Sequence, residues 1–353
     1  MTPQRVGIIG TGARTPVGLD GPSTAAAVRA GIAVMTRHPF MLDKNAEPMM
    51  VCADAVLPTS MAGAERLVSL ALPAAREALN PLRDHGERPN VALFVAVSEE
   101  RPGQQPDLDR AFMSRLVAAL AGECAVIESA CYPAGHAGGL FCLEQAMSSI
   151  ASGRSQFCLV GGVESYLDAE TLEWLDQTDQ LHSDATTWGF CPGEGAAFCL
   201  LASEPAIARL GLTVPIDLLS AGSARELHRI ATDTVCVGEG LSEAFKKTLA
   251  GLPADCRVNH TICDMNGEPY RGNEYGFAVL RSPRTFAEDA DFETPADCCG
   301  DMGAASGPLF VTLATAAAIK DYASGPVTLL WASSYSGLRA AAVLCCRAPA
   351  KAS

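Results

Sequence analysis

The chain has 353 residues and a mass of 36.8 kDa; 48% of the residues are hydrophobic, 19% are charged, and the mean hydropathy is +0.16. That composition excludes a disordered chain, and the length allows about two domains with a self-supporting core. Against 26 basic residues stand 40 acidic ones, a formal charge of −14, a sign that opposes binding to a phosphate backbone, so nucleic acid is not an expected partner.

The elements follow in chain order. Val6–Ile9 is a β-branched run read as a strand entering a tight loop at Gly10-Thr11-Gly12. Ala64, Leu67, Val68, Ala71, Ala75, Ala78 and Leu79 recur at helical spacing, and Asn80-Pro81 stops that helix. Val91–Val97 is a buried strand, followed by a polar loop over 98–108. Ala125–Ile127 begins another strand that leads to Cys131, and Leu140, Leu143, Met147 and Ile150 form one helical stripe ending near Gly153, so Cys131 is expected at a strand-to-helix corner, near a helix N-terminus that would favour its thiolate. Phe157–Val160 and Phe198–Leu201 read as strands, with the glycine-rich segment 189–197 as a loop before the second. Residues 204–211 link two halves, 1–211 and 212–353. The second half reads as strands at Ile216–Leu219, Thr261–Cys263, Val327–Ala332 and Ala340–Cys345, with helices near Leu241–Leu252 and from the GDMGAASG segment to Ile319. Alternating strands and helices give an α/β fold. The helices opened near Cys131 and near Gly300 form a rough internal echo.

No apolar run reaches the roughly 18 residues of a membrane span, and MTPQRVGIIGTG has neither a basic leader nor a cleavage site. Fourteen cysteines include no C-x-x-C pair and no zinc-ligand spacing. Several, such as Cys158, Cys199, Cys345 and Cys346, lie in apolar runs where a thiol acts as a small hydrophobe. The expectation is a reduced, cytoplasmic protein with no metal and no cofactor.

Several motifs fall in a specific order. SACYPAGHAGG precedes a strand ending in Gly161-Gly162-Val163-Glu164-Ser165; Asp184, Gly189-Phe190 and Gly193-Glu194-Gly195-Ala196-Ala197 follow; VGIIGTGARTPVG opens the chain. The series resembles the β-ketoacyl synthases of the thiolase superfamily. The resemblance implies a five-layered αβαβα sandwich of two similar halves, found as a homodimer, and acyl chemistry on thioesters of acyl carrier protein or coenzyme A. It also implies a nucleophilic cysteine, matched by Cys131, and two histidines that assist decarboxylation and stabilise the oxyanion. At the histidine positions this chain has Asn266, in Asn266-Gly267-Glu268, and Asp301, after Gly300. The family's glycine-rich C-terminal loop is replaced by Ser333–Arg339, with Ser336 its candidate contact; Phe190, Gly193, Glu194 and Gly303 are the remaining candidate loop or substrate-binding residues.

The substitutions have chemical consequences. An asparagine amide can donate to an oxyanion. An ionised Asp301 only accepts hydrogen bonds, repels a malonyl carboxylate and raises a neighbouring thiol's pKa. At about 4 Å and an effective dielectric of 20 that repulsion is about 4 kcal/mol, nearly a thousandfold in rate. A partner for Asp301, Arg271 or Arg339, would soften it. Decarboxylative condensation therefore has the wrong electrostatics, and two functions lead, with a fully active β-ketoacyl synthase whose catalytic groups are displaced as a third reading. One is acyl-thioester binding or transfer through Cys131, with Asn266 as oxyanion donor and Asp301 as base. The other is a non-catalytic scaffold or accessory protein for a protein partner, such as a condensing enzyme or a type VI secretion component, as eroded relatives are. Each candidate also has a structural reading. Cys131 can be a buried structural thiol, and Asp301 can cap the following helix. His136 reads as a packed helix residue, Glu194 as a loop brace and His260 as structural.

Overall fold

The computed structural model describes residues 5–347, apart from 84–87, 185, 231, 233 and 254. The first half runs β1 (Val6–Arg14), α1 (Gly21–Arg29), a hairpin of β2 (Thr36–Leu42) and β3 (Pro48–Val51), α2 (Gly63–Ala78), α3 (Asn80–Arg83), β4 (Asn90–Val97), α4 (Leu108–Leu120), β5 (Ala125–Pro133), α5 (Gly138–Ala151), β6 (Phe157–Ser165), α6 (Ala169–Gln177), β7 (Glu194–Ser203) and α7 (Glu204–Leu210). The second runs β8 (Ile216–Arg225), α8 (Glu239–Leu249), β9 (Val258–Cys263), α9 (Pro269–Leu280), β10 (Phe286–Glu293), α10 (Ala296–Cys299), α11 (Ser306–Ile319), β11 (Val327–Ser333) and β12 (Leu338–Cys346).

Ten strands are hydrogen-bonded in the order β10-β9-β11-β12-β8-β1-β7-β6-β4-β5. Outward from the β8–β1 contact, each half presents its first, fifth, fourth, second and third strand, so one topology occurs twice. In each half the second strand lies parallel to its third and fourth, and the fifth runs antiparallel to the fourth and first.

Strand periodicity sorts the side chains into layers. In β4, Ala92, Phe94 and Ala96 face one core with α5, α11 and strands of both halves, while Val91, Leu93, Val95 and Val97 face another with α2 and α4. In the second half, Leu329 and Trp331 of β11 pack with α8 and α9. The layers are therefore α2/α4, half-sheet, α5/α11, half-sheet, α8/α9: the five-layered thiolase arrangement. Both faces of the inner strands are covered, which explains their continuous apolar sequences.

Several boundaries differ from the sequence reading. β1 does not end at Ile9 but runs on to Arg14. Its glycines serve close packing: a Cβ on Gly10 would lie 2.2 Å from Ala78 O, and one on Gly12 2.2 Å from Ala74 O, so α2 rests directly on the strand. β7 begins at Glu194, inside the expected loop, and the link 204–211 contains α7, closed by Gly211 at φ +61°. The 98–108 segment is a loop up to α4, as expected. The hairpin, α6 and β10 carried no clear periodic signal. β10, FAEDADFE, forms one edge of the sheet with a register irregularity against β9. At the other edge lies β5, whose only charged residue, Glu128, is paired with Arg154 at 3.3 Å.

Candidate functional site

The first strand-to-helix corner lies beyond Cys131. β5 continues to Pro133, and a 3-10 turn, Gly135–Ala137, opens α5. Gly135 has φ +59°, the left-handed backbone that favours glycine. The residue inside this turn is His136. Cys131 sits within β5 opposite Val95, and its side chain packs with the α2/α4 core, whereas its neighbours Ala130 and Tyr132 join the α5/α11 core. Burial, assisted by the Asp109 carboxylate, pushes the Cys131 thiol up to about 12. Neither the corner position nor the helix-stabilised thiolate expected from sequence applies to it. The cue was Pro133 with Gly135, which marks the turn better than the cysteine does.

The second corner has the same build. Gly303–Ala305 is a 3-10 turn opening α11, and Gly303 has φ +43°. Asp301, two residues earlier, is fixed by its backbone: its N–H donates to Cys191 O at 2.8 Å and its carbonyl accepts from Gly193 N at 3.0 Å. Gly193 is required there, because a Cβ would lie 2.7 Å from the carbonyl oxygens of Asp301 and Cys299.

The two corners meet at the Asp301 carboxylate, which is buried. His136 Nε2 lies 2.8 Å from Oδ1 and 2.9 Å from Oδ2. Gly303 N–H donates to Oδ1 at 2.7 Å, Tyr166 Oη donates to Oδ1 at 3.3 Å, and Asn266 Nδ2 donates to Oδ2 at 2.5 Å. Asp301 is not the N-cap of the 3-10 turn or of α11, which are Met302 and Ala305; it lies one residue before the turn's N-cap, binds the Gly303 N–H, and anchors the cluster. Burial alone would raise its pKa; the His136 charge, the hydrogen bond from His136, Arg271 and the Asn266 amide together hold it well below the usual carboxylate range. For His136, burial lowers the pKa and Arg271 opposes protonation, but the Asp301 charge and hydrogen bond prevail and raise it. The raised His136 pKa and the lowered Asp301 pKa both favour the imidazolium–carboxylate form of the pair.

The remaining contacts close the cluster. Asn266 Nδ2 also donates to Glu268 Oε2 at 3.1 Å, so both amide protons are committed to carboxylates and neither is left for an oxyanion. Arg271 Nη2 stands 3.3 Å from His136 Nε2. Both nitrogens carry protons in the ion-pair state, which makes this a repulsive neighbour. Arg271 is held by Asp264, by Ser333 O at 2.7 Å and by Glu268 at 3.0 Å. Arg339 pairs instead with Glu274, at 2.5 and 2.7 Å. Ser334, not Ser336, touches the first corner: its hydroxyl donates to Ala134 O at 2.5 Å and accepts from Ala137 N–H at 2.8 Å. Ser336 is exposed, its N–H donating to Glu99 at 3.0 Å.

Glu194 is a brace. Both its oxygens are taken by Arg66 at 2.6 Å, and Asp54 N–H and Ser165 Oγ complete the set. Phe190 packs 5.5 Å from the Tyr166 ring, one residue behind the cluster. His260 lies away from the site, beside Glu293 at 3.4 Å. All 14 cysteines are free thiols. Glu226, Cys236 and Glu274 lie close enough to share an ion, but Glu274 is committed to Arg339 and Glu226 accepts backbone N–H bonds from His228 and Gly240. That set is satisfied as protein hydrogen bonds. Among the described residues, no helix is long and apolar enough to cross a membrane.

Three solved structures illustrate the likeness. A chain from a type II polyketide synthase acyl-carrier protein in complex with its ketosynthase bound to the hexaketide superposes with a TM-score of 0.80 at 15% identity, covering 98% of this chain and all of that one. The ishigamide ketosynthase/chain length factor gives 0.80 at 17% identity with the same coverage. A β-ketoacyl synthase from Burkholderia phymatum gives 0.74 at 15% identity, again covering 98% of this chain and all of that one. At such identities the likeness is one of fold. No curated protein matches the chain by sequence. The sequence profile of the β-ketoacyl synthase N-terminal domain, however, matches residues 3–206, more than half of the chain, and with the doubled topology and the two meeting corners this chain belongs to the β-ketoacyl synthase family.

Proposed function

We propose that this chain is a non-condensing member of its family, a thiolase-fold subunit that acts by associating with another chain. The observation that carries this reading is the buried His136–Asp301 ion pair at the point where the two corners meet. A condensing site needs an accessible nucleophile and free donors for an oxyanion. Here the imidazolium is locked on a carboxylate, and both Asn266 amide protons are spent. The acyl-transfer reading through Cys131 loses its support from position, because that thiol faces the α2/α4 layer and stays protonated near neutral pH. Transfer to acyl carrier protein or coenzyme A thioesters is thereby the lesser reading.

The partner surface in this proposal is β5. It is an edge strand with open backbone groups and an exposed Ile127, the kind of edge that accepts a further strand. A second copy of the chain gives the homodimer; a β-ketoacyl synthase is the hetero-partner to test first, with a type VI secretion component the alternative. The decisive experiment is intact-mass spectrometry of the wild type and Cys131→Ala after incubation with acyl-coenzyme A and acyl-carrier-protein thioesters. We expect no adduct on either, together with a dimeric mass in solution that Ile127→Asp reduces. An acyl mass on the wild type that Cys131→Ala abolishes would overturn the proposal and restore the transferase reading.

A further inference from the structure

A cavity of about 610 Å³ lies between α1 and the C-terminal half of α11. It is away from the His136 cluster, since Asp301 precedes the start of α11 and the cavity is lined by residues from the middle and end of that helix. Its volume is well inside the ligand-sized range. Two helix faces form its walls. Pro22, Ala26 and Arg29 recur at i, i+4 and i+7 on α1, and Thr312, Ala316 and Ile319 do so on α11. The alanines leave the space between the helices unfilled, and Ile319, 61% exposed, carries apolar surface out to the rim.

The cavity has a charged end. The two helices run in the same direction: a Cβ on Gly21 would lie 3.2 Å from Thr312 Cγ2 near one end, and the Arg29 guanidinium stacks 4.0 Å over the Tyr322 ring at the other. Arg29 is the last residue of α1 and Lys320 is the C-cap of α11, so both cations gather beside Tyr322. Both are exposed, and among the described residues neither is in an ion pair. Each helix end offers them only about half a negative charge, so the end of the cavity stays positive. No acidic side chain is on the lining. Glu77, behind Gly21, is committed to the N–H groups of Gly21 and Ala13, and Asp291 and Glu293 line a separate cavity that shares Arg29 and Tyr322. An apolar slot with two unpaired cations at one end, in a chain of net charge −14, is complementary to a molecule that is apolar along its length and anionic at one tip.

We propose that this cavity binds a single-chain acidic amphiphile, with its anionic head at Arg29 and Lys320 and its hydrocarbon along Ala26 and Ala316 toward Thr312. The assignment does not depend on the function proposed above. The test is isothermal titration of the full chain with octanoate and with octyl phosphate. Octanamide serves as the uncharged control, octyltrimethylammonium as the control of opposite charge, and butanoate as the anion with a short chain. At least one of the two acidic octyl compounds should bind with a Kd below about 1 mM, and the tighter of them names the head group. The three controls should bind at least about tenfold more weakly, because apolar burial and a charge-assisted contact are both needed. Arg29→Gln combined with Lys320→Gln should weaken binding by at least about tenfold. Ala26→Trp, made at an exposed position of α1, should abolish binding by filling the slot while the circular dichroism spectrum is kept. Failure of both acidic compounds to bind below about 1 mM would overturn the proposal. So would equal binding of any control, or binding unchanged by the double variant or by Ala26→Trp.

Discussion

The two corners of the molecule are near copies. Each has a glycine with positive φ that starts a three-residue 3-10 turn, and each turn opens a 14-residue helix of the central layer. Their polar residues fall at different steps. The first corner contributes His136 from inside its turn, and the second contributes Asp301 from two residues before its own. Repetition of the backbone thus brings two unlike groups face to face, and the charge of one sets the protonation of the other. The two turns share their backbone geometry, and the side chains they bring together form a buried His136–Asp301 pair.

The largest expected effect comes from breaking the pair on one side only. Asp301→Asn leaves His136 buried without its counterion, and urea unfolding should report a loss of about 3–5 kcal/mol. The double change His136→Leu with Asp301→Leu should cost less than the single one, since no unpaired charge remains; a larger cost would argue that the two corners are held together by more than this pair. Next comes Ser334→Ala, which strips the first corner of bonds to Ala134 O and Ala137 N–H; a loss of about 1–3 kcal/mol is expected by thermal denaturation.

The pH dependence of stability should follow the two shifts. The His136 pKa is raised above its ordinary 6.5, so its contribution is complete below that value and fades as pH rises through the folded-state pKa. The Asp301 pKa is lowered below its ordinary 3.8, so its contribution holds above that value and fades as pH falls through the folded-state pKa. Stability should therefore be greatest between those limits and decline on the alkaline side, and Asp301→Asn should flatten that decline. A titration with the same alkaline slope in the wild type and the variant would show that other groups set it. The smallest effect should come from Cys131→Ala. Its half-buried thiol is outside the ion pair, so a change of about 1 kcal/mol or less is expected, with no change in reactivity toward acyl thioesters.

The repeated βα pattern, the central strands and the positions of Asn266 and Asp301 were legible because each depends on local runs or ordered motifs. The corner was read five residues early. A cysteine in a familiar setting drew the assignment, although Pro133 could still lie in an edge strand and Gly135 marked the turn. His136 was visible but unremarkable, since its partner is 165 residues away and no local spacing reveals that contact. The same holds for Tyr166, which gains meaning only through neighbours from other elements. β10 escaped notice because an edge strand need not alternate in polarity.

The sheet's two edges differ in a way that bears on stoichiometry. β10 presents the acidic sequence FAEDADFE and an irregular register, both of which discourage a further strand, whereas β5 is open and nearly uncharged. Growth is therefore permitted in one direction only. An assembly built through β5, as proposed above, would use the less charged edge of each ten-stranded sheet and close at two, giving a doubled sheet with an acidic strand at both ends.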